Sequence, residues 1–123
     1  MTIENITPAS PGYSILPIHI SGQYTASVAD VVKFKLPWAH RAIGVSATAR
    51  ASGGTSPTLS IDVKEAGTTI LSSAMSITAG SITDGVISDA NLADEAEISI
   101  DLTIGGTSPT WDDITVHLVL KRV

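Results

Sequence analysis

The chain has 123 residues, which is one domain's worth, and 43 % of them are hydrophobic although only 4 % are aromatic and 15 % charged. A core of that composition is built from Ile, Val, Leu and Ala, and the surplus of β-branched residues suits a pleated, half-buried surface. A net charge of −5 with its seven basic residues dispersed excludes the basic patch that nucleic acid needs and disfavours anionic membrane. The absence of cysteine excludes disulfides, a thiolate nucleophile and a Cys-based zinc site.

The first five residues lack the basic and apolar regions of a signal peptide, and no stretch is long and apolar enough to span a bilayer, so assembly in the cytoplasm is expected. Residues 1–12 read as an extended arm, because Pro8 and Pro11-Gly12 break any periodicity and remove backbone donors. Fully extended, it reaches about 40 Å. It is either a frayed terminus or an arm that docks on a neighbouring subunit, and Ile3, Ile6, Pro8 and Pro11 are its candidate contact residues.

Residues 13–123 form the folded domain, and its period is two. Residues 14–20 predict a strand at a sheet edge, since Pro17 cannot donate to a ladder. A second strand over 28–36 places Val32, Phe34 and Leu36 on one face and Lys33 and Lys35 on the other, and Pro37-Trp38 ends it. Strict alternation then predicts strands over 43–51, 59–64, 98–104 and 114–121. Shorter strands are expected at 68–71 and 75–77, with turns at Ala66-Gly67 and Ala79-Gly80, and residues 88–95 have room for one capped helical turn.

The hexapeptide Gly-Gly-Thr-Ser-Pro-Thr occurs twice, as residues 53–58 and 105–110. Its glycines supply positive φ and its proline presets φ, so each copy reads as a hairpin loop between two strands. The matched pair is either turn chemistry without further meaning or two corners at one end of the domain that share a surface. About eight short strands joined by turns leave no room for crossover helices. The expected fold is all-β, an antiparallel β-sandwich of jelly-roll-like form.

No constellation of catalytic type is present. His19 and His117 alternate with apolar neighbours and face the polar side of their strands, and no serine carries a base beside it. Asp62 and Asp101 are strand residues on polar faces. Asp112-Asp113 lacks the further oxygens that a calcium site requires, so neither a metal nor another cofactor is expected. Trp38, His40 and Arg41, in a loop, together with Trp111, are the candidates for contact with a partner protein or a glycan. Val119, apolar on the polar face of its strand, is the candidate for an oligomer interface.

From Val32 to the C-terminus, the ordered set of segments resembles a β-sandwich domain found in virion proteins of tailed bacteriophages. It runs through Lys33-Phe34-Lys35-Leu36-Pro37-Trp38, Ile43-Gly44-Val45-Ser46-Ala47 and Leu59-Ser60-Ile61-Asp62-Val63-Lys64. After Ala66-Gly67-Thr68-Thr69-Ile70-Leu71 come Leu92-Ala93-Asp94-Glu95-Ala96 and Glu97-Ile98-Ser99-Ile100-Asp101-Leu102. The resemblance covers about three quarters of the chain and leaves out the first 25 or so residues. It implies a structural or adhesive virion role without catalysis, in capsid decoration proteins, head fibres or tail fibres, often as homotrimers. This sequence has no heptad stem, so a decoration (cement) protein on the capsid surface is the expectation. There the arm and one end of the sandwich would grip the major capsid protein or other virion subunits. A receptor- or carbohydrate-binding module of a tail fibre or baseplate is the alternative.

Overall fold

The computed structural model describes residues 13–123. They form one antiparallel sheet of eight strands: β1 (Tyr13–Tyr24), β2 (Val28–Lys35), β3 (His40–Glu65), β4 (Thr68–Thr69), β5 (Met75–Ser76), β6 (Thr83–Asp84), β7 (Asn91–Leu92) and β8 (Glu97–Arg122). The all-β antiparallel class is as the alternation predicts, and no helix occurs among the described residues. The strand lengths differ from expectation: the four strongly alternating runs are joined pairwise into β3 and β8, each of 26 residues. The helical turn over 88–95 does not form. Asn91 and Leu92 pair instead with Arg41 and His40 on the edge of β3, and Leu92 is buried.

The two Gly-Gly-Thr-Ser-Pro-Thr copies are not hairpin loops, because neither joins two segments that pair with each other. They lie mid-strand and pair with each other, Gly53 opposite Thr110, Thr55 opposite Thr107 and Thr58 opposite Gly105. An antiparallel ladder between identical segments has local twofold symmetry, and the backbone obeys it. Gly54 and Gly106 have φ of +95° and +108°, and Ser56 and Ser108 have φ of +49° and +47°. Four positive-φ residues in the two paired hexapeptides, with two register shifts between Gly53 and Thr58, bend the ribbon sharply.

Neighbouring hydrogen bonds show how far it bends. The amide of Ile77 donates to the Leu59 carbonyl at 2.9 Å, and that of Gly80 to the Ala49 carbonyl at 2.9 Å. The three residue steps from 77 to 80 span at most about 11 Å, whereas the ten from 49 to 59 would cover roughly 33 Å if straight. The ribbon therefore doubles over and becomes a two-layered sandwich made from one sheet, strands passing between layers at a bend. The first half of β3, the second half of β8 and β1 form one layer. The second half of β3, the first half of β8 and β2 form the other.

The core lies between these layers. Val45, Ala47 and Ala49 come from one half of β3 and Leu59, Ile61 and Val63 from the other, while β8 supplies Ile98, Ile100, Leu102, Ile114, Val116 and Leu118. All belong to one continuous buried cluster. Full burial of each Ile or Leu is worth about 1.5–3 kcal/mol. Residues 68–92 run back along the outer edge of β3 through β4, β5, β6 and β7, beginning at the two-residue turn Ala66-Gly67, whose positive φ values suit a tight hairpin.

β1 and β2 share the opposite edge of β8, and each carries a bulge fastened by an aspartate of β8. Asp113 accepts the Gly22 amide at 3.1 Å and the Arg50 Nε–H at 2.7 Å, and Gln23 Nε2 donates to Asp112 at 2.9 Å. Asp101 accepts the Asp30 amide at 2.8 Å and pairs with Lys64. The outer edge of β1 meets no strand among the described residues, and there Pro17 is accommodated.

Candidate functional site

Opposite the bend, the far ends of the two layers meet. β2 ends at Lys35, and Leu36 to Ala39 cross from one layer to the other before β3 opens at His40, beside Arg122 at the end of β8. The crossing is held at both ends: the Leu36 amide donates to the Ala96 carbonyl at 3.0 Å, and that of Val123 to the Ala39 carbonyl at 3.2 Å. Between this crossing and the start of β1 lies a groove of about 360 Å³. Buried Leu36, His40 and Leu120 make its floor. Exposed Ser14, Ile15, Trp38 and Arg122 stand around it.

Trp38 is 53 % exposed because the proline before it ends β2 and turns the chain outward. The Arg122 guanidinium carbon lies 4.4 Å from the centroid of the indole ring, a cation–π pair. His40 is a buried strand residue, contrary to the loop position expected for it. Its Nδ1–H donates to the Trp38 carbonyl at 2.5 Å, which fixes the ring beneath the crossing. This leaves Nε2 as its remaining polar atom.

Of the four expected contact residues, Trp38 and His40 meet at the groove. Arg41, the next residue along β3, is exposed and pairs in register with Lys121. Strand alternation turns it from the face that buries His40. Trp111 is a correction: it is 2 % exposed, next to the bend, and cannot stack on a sugar or a partner. Its indole Nε1 has no hydrogen-bond partner among the described residues, a penalty of about 1–3 kcal/mol that its packing has to outweigh. Val119 is half-buried between Ile15 and Gly44 in register, and Ile15 beside it is 69 % exposed. Ile3, Ile6, Pro8 and Pro11 lie outside the described residues.

Sequence reasoning missed Arg122, Ile15 and the leucines of the groove. Ile15 carried a readable signal, since like Val119 it is an apolar residue at the polar phase of its strand. Arg122 carried none, being one of two terminal cations with nothing to mark the one that stacks on Trp38. No protein-family model matches the chain, and no curated protein matches it.

Proposed function

We propose that the chain is a non-enzymatic structural protein of a tailed-bacteriophage virion, a capsid decoration (cement) protein that binds the outer shell and stabilises the head as a homotrimer. The observation that carries this reading is the gathering of exposed apolar side chains at one end of the sandwich. Ile15 and Trp38 flank the groove there, Ile43 is 46 % exposed nearby on β3, and the chain before Tyr13 joins the domain at the same end. Apolar residues grouped at one end of a domain suit contact with other subunits. The partner is the major capsid protein or another virion subunit.

Such a protein acts by mass action. It binds the assembled shell and not its dispersed subunits, so it shifts the equilibrium toward the shell by an amount set by concentration over Kd. Added to purified heads that lack it, the chain should bind to a fixed stoichiometry and raise the temperature at which the heads open. Recovery of the protein only in tail fractions would overturn the reading. The glycan-binding alternative is less well supported, because Trp111 is buried and Arg122 already occupies a face of Trp38.

A further inference from the structure

We infer that the groove between Trp38, Arg122 and the start of β1 receives residues 3–6 of a second copy of this chain, so that copies are linked head to tail by exchanged N-terminal arms. The inference rests on the assembly reading only in treating this end as a contact surface.

The groove has two chemical demands. Its floor is mostly apolar, made by Leu36 and Leu120 around His40, with half-buried Leu16 at one side. Its rim carries Arg122, which stacks on Trp38 and has no acid within ion-pair distance among the described residues. The matching occupant is a short extended segment with apolar side chains around one acid. Residues 1–12 contain a single charged side chain, Glu4, and Ile3 and Ile6 flank it. Alternation in an extended segment turns Ile3 and Glu4 to opposite sides, so an apolar anchor and an acid can meet the floor and the rim together.

Chain length decides whose arm this is. The groove begins at Ser14, two residues after the arm ends. Drawn out straight, an arm of this length would carry Ile3 to Ile6 roughly 20–35 Å beyond Tyr13, outside its own groove. A reversal at Pro11-Gly12 would set Ile6 opposite Pro17 and Ile3 opposite Ile20, past the groove in the other direction. Neither path would return residues 3–6 to the groove of their own chain, whereas the straight one would bring them to a neighbour. An arm given to one neighbour and a groove filled by another is a heterologous contact, which closes into a ring when the rotation permits.

Mass measurement by light scattering on the full chain tests this. The wild-type protein should run as a multiple of 12.7 kDa. Ile3→Asp, which spoils the arm, and Trp38→Ala, which spoils the groove, should each run as a single chain. An equimolar mixture of the two variants keeps one good arm and one good groove, and should give a two-chain species. Glu4→Arg and Arg122→Glu should each weaken the oligomer, and the double variant should restore it. Circular dichroism of each variant separates loss of assembly from loss of fold. A wild-type mass of one chain, a single variant that keeps the wild-type mass, or a mixture that stays monomeric overturns the inference. An oligomer that fails to bind heads would sink the decoration role alone, and a monomer that binds heads would sink the arm exchange and the homotrimer but not the decoration role.

Discussion

Gly54 and Gly106 hold the bend, and their backbones show why no other residue serves there. Both have positive φ, and a Cβ on Gly54 would collide with the Ser108 carbonyl oxygen, while one on Gly106 would stand 2.6 Å from the Ser56 carbonyl oxygen. Backbone cannot swing aside as a side chain can. Gly54→Ala and Gly106→Ala should each cost about 2 kcal/mol or more, with similar values because the twofold relation makes the sites equivalent. Gly22 is the control: its φ is +97° but nothing lies within 4 Å of a Cβ there, so Gly22→Ala should cost only about 1 kcal/mol. Urea denaturation measures all three, and equal losses throughout would mean that φ alone, without the collision, sets the cost. At this scale the sequence was informative about the type of backbone and silent about its partner. Gly-Gly and Pro report positive and fixed φ whether the chain reverses or only bends. Only the identity of the two hexapeptides hinted that they meet.

The edge strands β1 and β2 depend on the two aspartates of β8. The Asp113 carboxyl is held below the ordinary carboxylate range by Arg50 first and by the Gly22 amide next. The Asp101 carboxyl is lowered by the Asp30 amide first and then by Lys64. A carboxylate with a depressed folded-state pKa contributes stability that is fully present above its unfolded value, about 3.9. That contribution is lost as pH falls through the folded value below it. Lys64 is raised by Asp101, so its share is complete below the ordinary lysine range and goes as pH rises above about 10.4. Stability should therefore be flat near neutrality and fall in acid, and the double variant Asp101→Asn, Asp113→Asn should have a shallower acid limb in urea midpoints taken across pH. An acid limb of unchanged slope would show that other carboxylates control it. Alternation located β2 and the inward faces of β3 and β8 correctly, because a half-buried strand has to alternate. It could not show the bulges, since they are fastened by contacts far apart in sequence, the Gly22 amide to the Asp113 carboxylate and the Asp30 amide to that of Asp101. Residues 88–95 look helical in isolation, but the free edge of β3 takes their backbone groups and the core takes Leu92.

For the molecule as a whole, one ribbon bent at its middle produces a closed end and an open end. The sequence located half of the open end: Trp38 followed from a strand stopped by proline, whereas the groove beside it depends on β1, β3 and β8 converging from opposite ends of the chain. It also gave Trp38 and Trp111 the same standing. Only the folding of β8 along the bend, which buries one while the crossing exposes the other, separates them. Both described chain ends leave at the open end, where Tyr13 pairs with Lys121 next to Val123. That placement has a mechanical consequence. Tension applied between the two ends loads the rungs of β1 on β8 one after another, starting at Tyr13 and Lys121, so the strand peels like a zip at low force. Tension between the arm and the bend pulls along β1 instead and shears every rung from Tyr13–Lys121 to Tyr24–Trp111 together. Single-molecule pulling with handles at residues 13 and 123 should therefore release β1 at a far lower force than handles at residues 13 and 108, and equal forces would refute the geometry. Load that enters at Tyr13 and leaves at the bend therefore runs in the direction in which this sheet is hardest to open.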